Sequence, residues 1–365
     1  MKIMDTLCKK LLLAALTLAL GQGLSAQEQV SKKIEKSYKM TDTGELHLEN
    51  KYGNIDLYGW DKDEASVVIN ITVNHRKKEN AEDLLKRISP MIQESDNFIS
   101  ISYEIKEKSS GFFANLFDKA NPFDFNHSNI QIDYTVYMPT KAELEVTNTF
   151  GDVIIESWIG KLKAKVQHGD LWINETLNKA DIEVEYGKLR AKSINYGNLT
   201  LKNGDLDMED SKSLRINSSG TEMSINKVTS LEFYSNKDEV SISEVGTIYG
   251  TLKFTTLELN RLKTSVDMNM RVADFRVSEI LDPNADIAIE QESSEVNLNV
   301  TGFSHRFEAT LEEGLVRLPK SFENIDSKML DKSKKLREIK ATYGKSKAGN
   351  ISVIGKKGVV LLIEF

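Results

Sequence analysis

Only one cysteine occurs in the 365 residues, Cys8, and it lies ahead of a short apolar run rather than after it. A lipid-anchored cysteine would follow that run, so the lipoprotein reading fails, and no thiol remains downstream for a disulfide, a thiolate metal site or thiol chemistry. Proline is almost as scarce. There are five, and none falls between Pro139 and Pro283. Proline cannot donate to a strand ladder, so its absence over that length is compatible with continuous sheet. Histidine is equally sparse: His47, His75, His127, His168 and His305 form no metal-spaced pair and no His-Glu-x-x-His helix. No glycine-rich phosphate loop and no Gly-x-Ser-x-Gly elbow occurs. These absences leave catalytic residues, cofactors and metal ligands unassigned: none is expected.

What is present begins with a signal-like segment. Lys2, Lys9 and Lys10 precede an apolar run from Leu11 to Leu20, followed by Leu24, Ser25 and Ala26. A basic start, a short apolar core and a small-residue cut site predict a secretory signal peptide over 1–26 and an exported chain, in the periplasm or on the outer surface. The run is shorter than the roughly 20 residues of a membrane span, so no transmembrane segment is expected downstream. Beyond Ala26 the formal charge is −9, yet residues 328–357 carry +8. The acidic body argues against nucleic acid as a partner. The basic tail is a candidate contact for an anionic membrane surface or glycan.

The central signal is a repeat. Gly151 leads Val153 and Ile155, Gly169 leads Leu171 and Ile173, Gly187 leads Leu189 and Ala191, and Gly204 leads Leu206 and Met208. The glycine then fails while the apolar pair continues at Met223/Ile225, Val240/Ile242, Leu257/Leu259 and Phe275/Val277, with spacings of 17 or 18 residues throughout. A second alternating pair lies between these, as in Ile182/Val184 and Leu199/Leu201. Period-two alternation marks half-buried strands. A constant short period predicts an all-β fold, a parallel β-solenoid with coils of about 17–18 residues. An antiparallel sandwich explains regular turns but not a constant register. The glycines at 151, 169, 187 and 204 are expected at a tight structural corner, where they accept positive φ.

The organisation that follows is a small α/β N-terminal cap over 27–140, β-solenoid repeats over 141–320, and a basic segment with closing strands over 321–365. Within the cap, Asn80 is expected to start a helix over 80–88. Residues 107–127 form a Phe-rich loop, and Phe112, Phe113, Phe117, Phe123 and Phe125 are the candidate residues for binding a partner or a membrane surface. Their alternative role is a plug over the first coil. In the tail, residues 327–340 read as a basic helix. Asp152, Asp170 and Asp205 follow corner glycines and are more readily solvated corners than a calcium edge, because Lys188 interrupts them.

The stretches "LHLENKYGNIDLYGWDKDEASVVINITV", "IDYTVYMPTKAELEVTNTFGDVII" and "GNISVIGKKGVVLLIEF" resemble the bacterial putative-adhesin domain family, exported β-solenoids of Bacteroidetes-type bacteria. The resemblance implies a right-handed β-helix-like fold, export and no enzymatic activity, and it transfers no catalytic residue. The expected function is therefore a non-enzymatic interaction or structural module at the cell envelope, meeting an envelope glycan or protein. A carbohydrate-active β-helix enzyme and an envelope signalling or stress component stay open as alternatives.

Overall fold

The computed structural model describes residues 28–106 and 129–365. Residues 1–26 and the Phe-rich loop 107–127 lie outside the described residues. Among those described, the chain is all-β with one α-helix. The N-terminal strands are β1 (Glu28–Lys39), β2 (Glu45–Tyr52), β3 (Ile55–Trp60), β4 (Glu64–His75), β5 (Ile88–Ser95), β6 (Phe98–Ile105) and β7 (Ile130–Pro139). The repeat region holds β8 (Glu143–Phe150), β9 (Val153–Glu156), β10 (Leu162–Gln167), β11 (Leu171–Glu185), β12 (Lys188–Lys202), β13 (Asp205–Ser219), β14 (Glu222–Asn236), β15 (Glu239–Lys253), β16 (Thr256–Arg271), β17 (Asp274–Ile280), β18 (Asp286–Glu292) and β19 (Glu295–Asn299). The chain ends with β20 (His305–Glu312), β21 (Leu315–Arg317), β22 (Glu323–Asp331), β23 (Leu336–Tyr343), β24 (Gly349–Lys356) and β25 (Val359–Ile363).

Two compact units are present. The smaller is described over 28–34, 70–90, 103–106 and 129–132. It contains α1 (Lys78–Arg87), which starts ahead of the expected position. Lys77, in extended conformation, is the N-cap residue without a side-chain bond, and its carbonyl accepts from the Ala81 amide at 3.2 Å. Asn80 therefore sits inside the first turn rather than capping it.

The larger unit comprises Glu35–Ile69, Met91–Ser102 and Asp133–Phe365. Through the repeat region its strands pair in parallel with an offset of one repeat. Val153 lies opposite Leu171, and then Leu189, Leu206, Met223, Val240, Leu257, Phe275 and Val296 follow in one column. All of these side chains are buried. A second inward column runs Leu162, Ala180, Gly197, Leu214, Leu231 and Ile248. A third, not read from the sequence, runs Leu177, Ile194, Ser211, Val228, Val245 and Leu262 at the bend between the two halves of each repeat. Ser211 fits among its aliphatic neighbours because its hydroxyl donates to the Ile194 carbonyl.

Sequence order and spatial order part company at both ends. β3 is inserted between Tyr134–Pro139 of β7 and β9, with Ile55 opposite both Tyr134 and Val153. At the other end β24 lies between β18 and β20, and β25 between β19 and β21. Val316 is thus separated from Val296 by Val360. The expected basic helix over 327–340 is instead an antiparallel hairpin, β22–β23, paired onto β20. The open edge of β20 recruits β23 into its ladder. Asp331 closes the turn by accepting from the Ser333 amide at 2.8 Å and the Ser333 hydroxyl at 2.7 Å.

The corner also differs from expectation. Of the four glycines only Gly151 has positive φ, +136°. In the next three repeats the residue before the glycine turns the chain: His168, Tyr186 and Asn203 have φ of 53°, 57° and 51°. This left-handed region is costly for bulky residues. It is held there by bonds between repeats, such as the Tyr186 amide to the Lys202 carbonyl at 2.9 Å. Glycine follows because successive backbones nearly touch. A Cβ on Gly169 would lie 1.9 Å from the Gly151 oxygen, and one on Gly187 equally close to the Gly169 oxygen.

From Thr221 onward the corner admits side chains, and their polar atoms serve the backbone. Buried Asp238 accepts from the Ser235 hydroxyl at 2.6 Å, the Thr221 amide at 2.8 Å and the Asn236 amide at 3.2 Å, and also from the Ser218 hydroxyl. A buried carboxylate satisfied this fully is tolerated where a bare one would be expelled.

Two outcomes follow. Gly187→Ala is expected to cost about 1–3 kcal/mol, the usual range for overpacking, whereas Tyr186→Asn stays within about 0.5 kcal/mol, because the ease with which asparagine accepts the left-handed region offsets the lost ring stack on His168. Urea unfolding of both variants checks this, and equal stabilities would contradict the close-approach account. The second concerns His305, fully buried against Phe303, Phe322 and Tyr343. Its Nδ1 lies 2.6 Å from the Phe303 carbonyl, which can only accept, so Nδ1 carries the proton and Nε2 is bare. Burial holds its pKa below the ordinary histidine value. The unfolded chain then binds a proton that the folded chain refuses, so stability falls as pH drops below about 6.5. His305→Asn, which keeps a donor for Phe303, should flatten that slope in urea midpoints taken across this range.

Candidate functional site

Outward-facing residues form columns as regular as the inward ones, because alternation places every second side chain on the outer face. One such column runs His47, Glu145, Lys163, Asp181, Asn198, Arg215, Glu232 and Tyr249. Beside it, two residues earlier in each strand, run Lys179, Tyr196, Ser213, Ser230 and Thr247. The inward column between them thins at Ala180 and Gly197, the residues that floor a depression of about 290 Å³. Tyr196, Asn198, Arg215, Glu232 and Tyr249 contribute to its wall. A second depression of about 240 Å³ shares Lys179 and Asp181 and continues the face toward Glu45 and Glu145.

The charges on this face are engaged in pairs. Lys163 Nζ lies 2.8 Å from Glu145 Oε1, and its ammonium bond holds the Glu145 carboxyl below the usual carboxylate range. Asn198 donates to Asp181 at 3.0 Å, and Arg215 lies 3.7 Å from Glu232, which also accepts from the Tyr234 hydroxyl at 2.9 Å. The neighbouring outward columns behave alike: Lys165 reaches Glu183 at 3.2 Å, and Glu185 receives Lys202 together with Gln167. Exposed pairs of this kind contribute little stability each. Their effect is to leave a surface of alternating charge and ready hydrogen-bonding groups.

Aromatic rings divide into two kinds. Tyr52, Phe150, His168 and Tyr186 stack along the corner, with centroids 5.9, 5.1 and 4.9 Å apart and planes within 11°. Their inner faces are spent on one another. Tyr137 is likewise stacked on Tyr58 and Trp60 at 5.2 and 5.3 Å. By contrast, no ring is stacked on Tyr196 or Tyr249 among the described residues, and they are 53% and 40% exposed. Three repeats separate them, about 14 Å at ~4.8 Å per parallel step.

The sequence-predicted residues fall elsewhere. Gly151, Gly169, Gly187 and Gly204 share the corner as backbone contacts. Asp152 and Asp170 serve the backbone of the next repeat: Asp152 Oδ1 accepts from the Asp170 amide at 2.9 Å, and Asp170 Oδ1 from the Lys188 amide at 2.8 Å. Phe112, Phe113, Phe117, Phe123 and Phe125 lie outside the described residues. Tyr196, Arg215 and Tyr249 escaped the sequence reading. The only available signal was their place in the repeat: Arg215 and Tyr249 are two 17-residue repeats apart in one outward column, and Tyr196 lies in the outward column beside it.

No family model matches the chain, and no curated protein matches it. No helix among the described residues is long and apolar enough to cross a membrane. Solved structures similar to it include a putative adhesin from Bacteroides fragilis, 11% identical, covering 91% of this chain and 97% of that one, with a TM-score of 0.30. A putative adhesin from Parabacteroides merdae is 10% identical, with coverages of 91% and 96% and a TM-score of 0.30. A putative lipid binding protein from Parabacteroides distasonis is 10% identical, with coverages of 91% and 97% and a TM-score of 0.29. At these scores the likeness carries no argument about what the chain binds, but the resemblance to putative adhesins read from the sequence recurs among these structures.

Proposed function

We propose that this protein is an exported, non-enzymatic β-solenoid that binds an envelope glycan along the outer face between Tyr196 and Tyr249. In this reading residues 1–26 direct export, and the stacked repeats are coils of the solenoid. The observation that carries it is the depression flanked by those two exposed tyrosines. Sugar rings present an apolar face and a rim of hydroxyls, and tyrosine offers an amphipathic partner for both. Between the tyrosines, Asn198, Arg215 and Glu232 supply donors and acceptors in line with the coil axis.

The same geometry argues against glycoside hydrolysis. The two carboxylates lining the depression, Asp181 and Glu232, are three repeats apart, about 14 Å by the parallel step, beyond the roughly 5–9.5 Å of a catalytic pair. Each is also already engaged by a neighbour.

Purified protein presented with an array of envelope polysaccharides should retain at least one of them. The Tyr196→Ala/Tyr249→Ala double variant should lose that binding by about ten-fold or more, on the scale of losing two aromatic contacts, with an unchanged melting temperature. Equal retention by the double variant, or turnover of the bound glycan by the parent, would contradict the reading.

A further inference from the structure

At the N-terminal end of the same outer face, three donors from two distant parts of the chain converge. Glu45 and His47 lie two residues apart on β2 and therefore on one face. Glu145 on β8 is directly opposite His47. His47 Nε2 lies 2.6 Å from Glu45 Oε1 and 3.6 Å from Glu145 Oε2, and the three ligand atoms are all within 4.8 Å of one another. We propose that Glu45, His47 and Glu145 form a divalent transition-metal site, and that it takes Zn²⁺.

The donor set supports this choice. One imidazole nitrogen and two carboxylate oxygens suit a borderline cation such as Zn²⁺, at about 2.0–2.2 Å from each donor. The observed separations need only small side-chain movements to reach such a shell. The surroundings already resemble the outer shell that metal ligands require. Phe98, opposite Glu45 on β6, sets its ring edge-on to the imidazole, with centroids 4.8 Å apart at 76°. Lys163 binds Oε1 of Glu145 at 2.8 Å and so turns Oε2 toward His47. The three ligands remain partly exposed, which gives a cation access and leaves coordination positions for water or a partner's oxygen. The alternative, a plain His–Glu ion pair, makes the opposite prediction below. This inference does not rest on the glycan reading, and its test contains no glycan.

Isothermal titration of the full chain with zinc chloride at neutral pH should show one saturable site. His47→Ala and Glu145→Gln should each weaken it by about ten-fold or more, as loss of a ligand exceeds loss of an outer-shell partner, while His75→Ala leaves it intact. Zinc K-edge absorption of the loaded protein should report one imidazole among oxygen donors. Melting temperatures of the zinc-free variants check folding, and His47→Gln serves if the alanine variant is unstable. Absence of saturable binding, or binding unchanged by both His47 substitutions, would overturn the proposal.

Discussion

The parallel backbone ladder, offset by one repeat of 17 or 18 residues, is the constraint on which everything else in the larger unit depends. Because each residue lies in register with its counterpart one repeat away, held by slanted backbone bonds to the residues flanking that counterpart, like positions form columns. An inward column must then be apolar along its length, as Val153 through Val296 is. An outward column is freer: Glu145–Lys163–Asp181 alternates in charge, whereas Asp205, Glu222 and Glu239 stack three carboxylates at an exposed position. One rule thereby sets the core and the spacing of any ligand contacts.

The ladder also explains where strain is tolerated. A left-handed Tyr186 or Val272 would be unfavourable in isolation, yet the bonds of the neighbouring repeats continue through the corner and hold it. Backbones brought so close exclude a Cβ at Gly169 and Gly187. Further along, the corner is filled by Thr221, Asp238 and Thr255, which exchange hydrogen bonds with one another and with Ser235. An outward analogue is Glu244, which meets Lys227, Arg261 and Lys263 at 3.4, 3.1 and 2.6 Å. Lys263 reaches it because the β15–β16 register shifts by one residue just past Val245.

How much of this was legible follows from what repeats. The apolar pairs and their register were readable because burial forces the same residue class every 17 or 18 positions. The glycines were readable as a corner, but their reason was not, since spacing does not distinguish positive φ from close approach. The insertions of β3, β24 and β25 between other rungs were invisible, because their alternation suits any rung. The β22–β23 hairpin looked helical, as its form is imposed by the edge of β20 rather than by local pattern. The Tyr196–Tyr249 face and the Glu45–His47–Glu145 cluster combine residues that only the fold juxtaposes.

Distances between spin labels test the stacking most directly. Arg190, Asp207, Ser224, Ser241, Glu258 and Arg276 occupy one outward column in consecutive repeats. Labels at Arg190 paired with Ser241, Glu258 or Arg276 should give backbone separations near ~14, ~19 and ~24 Å, rising by one parallel step per repeat. A series that fails to rise with repeat number would contradict the parallel stack and everything built on it.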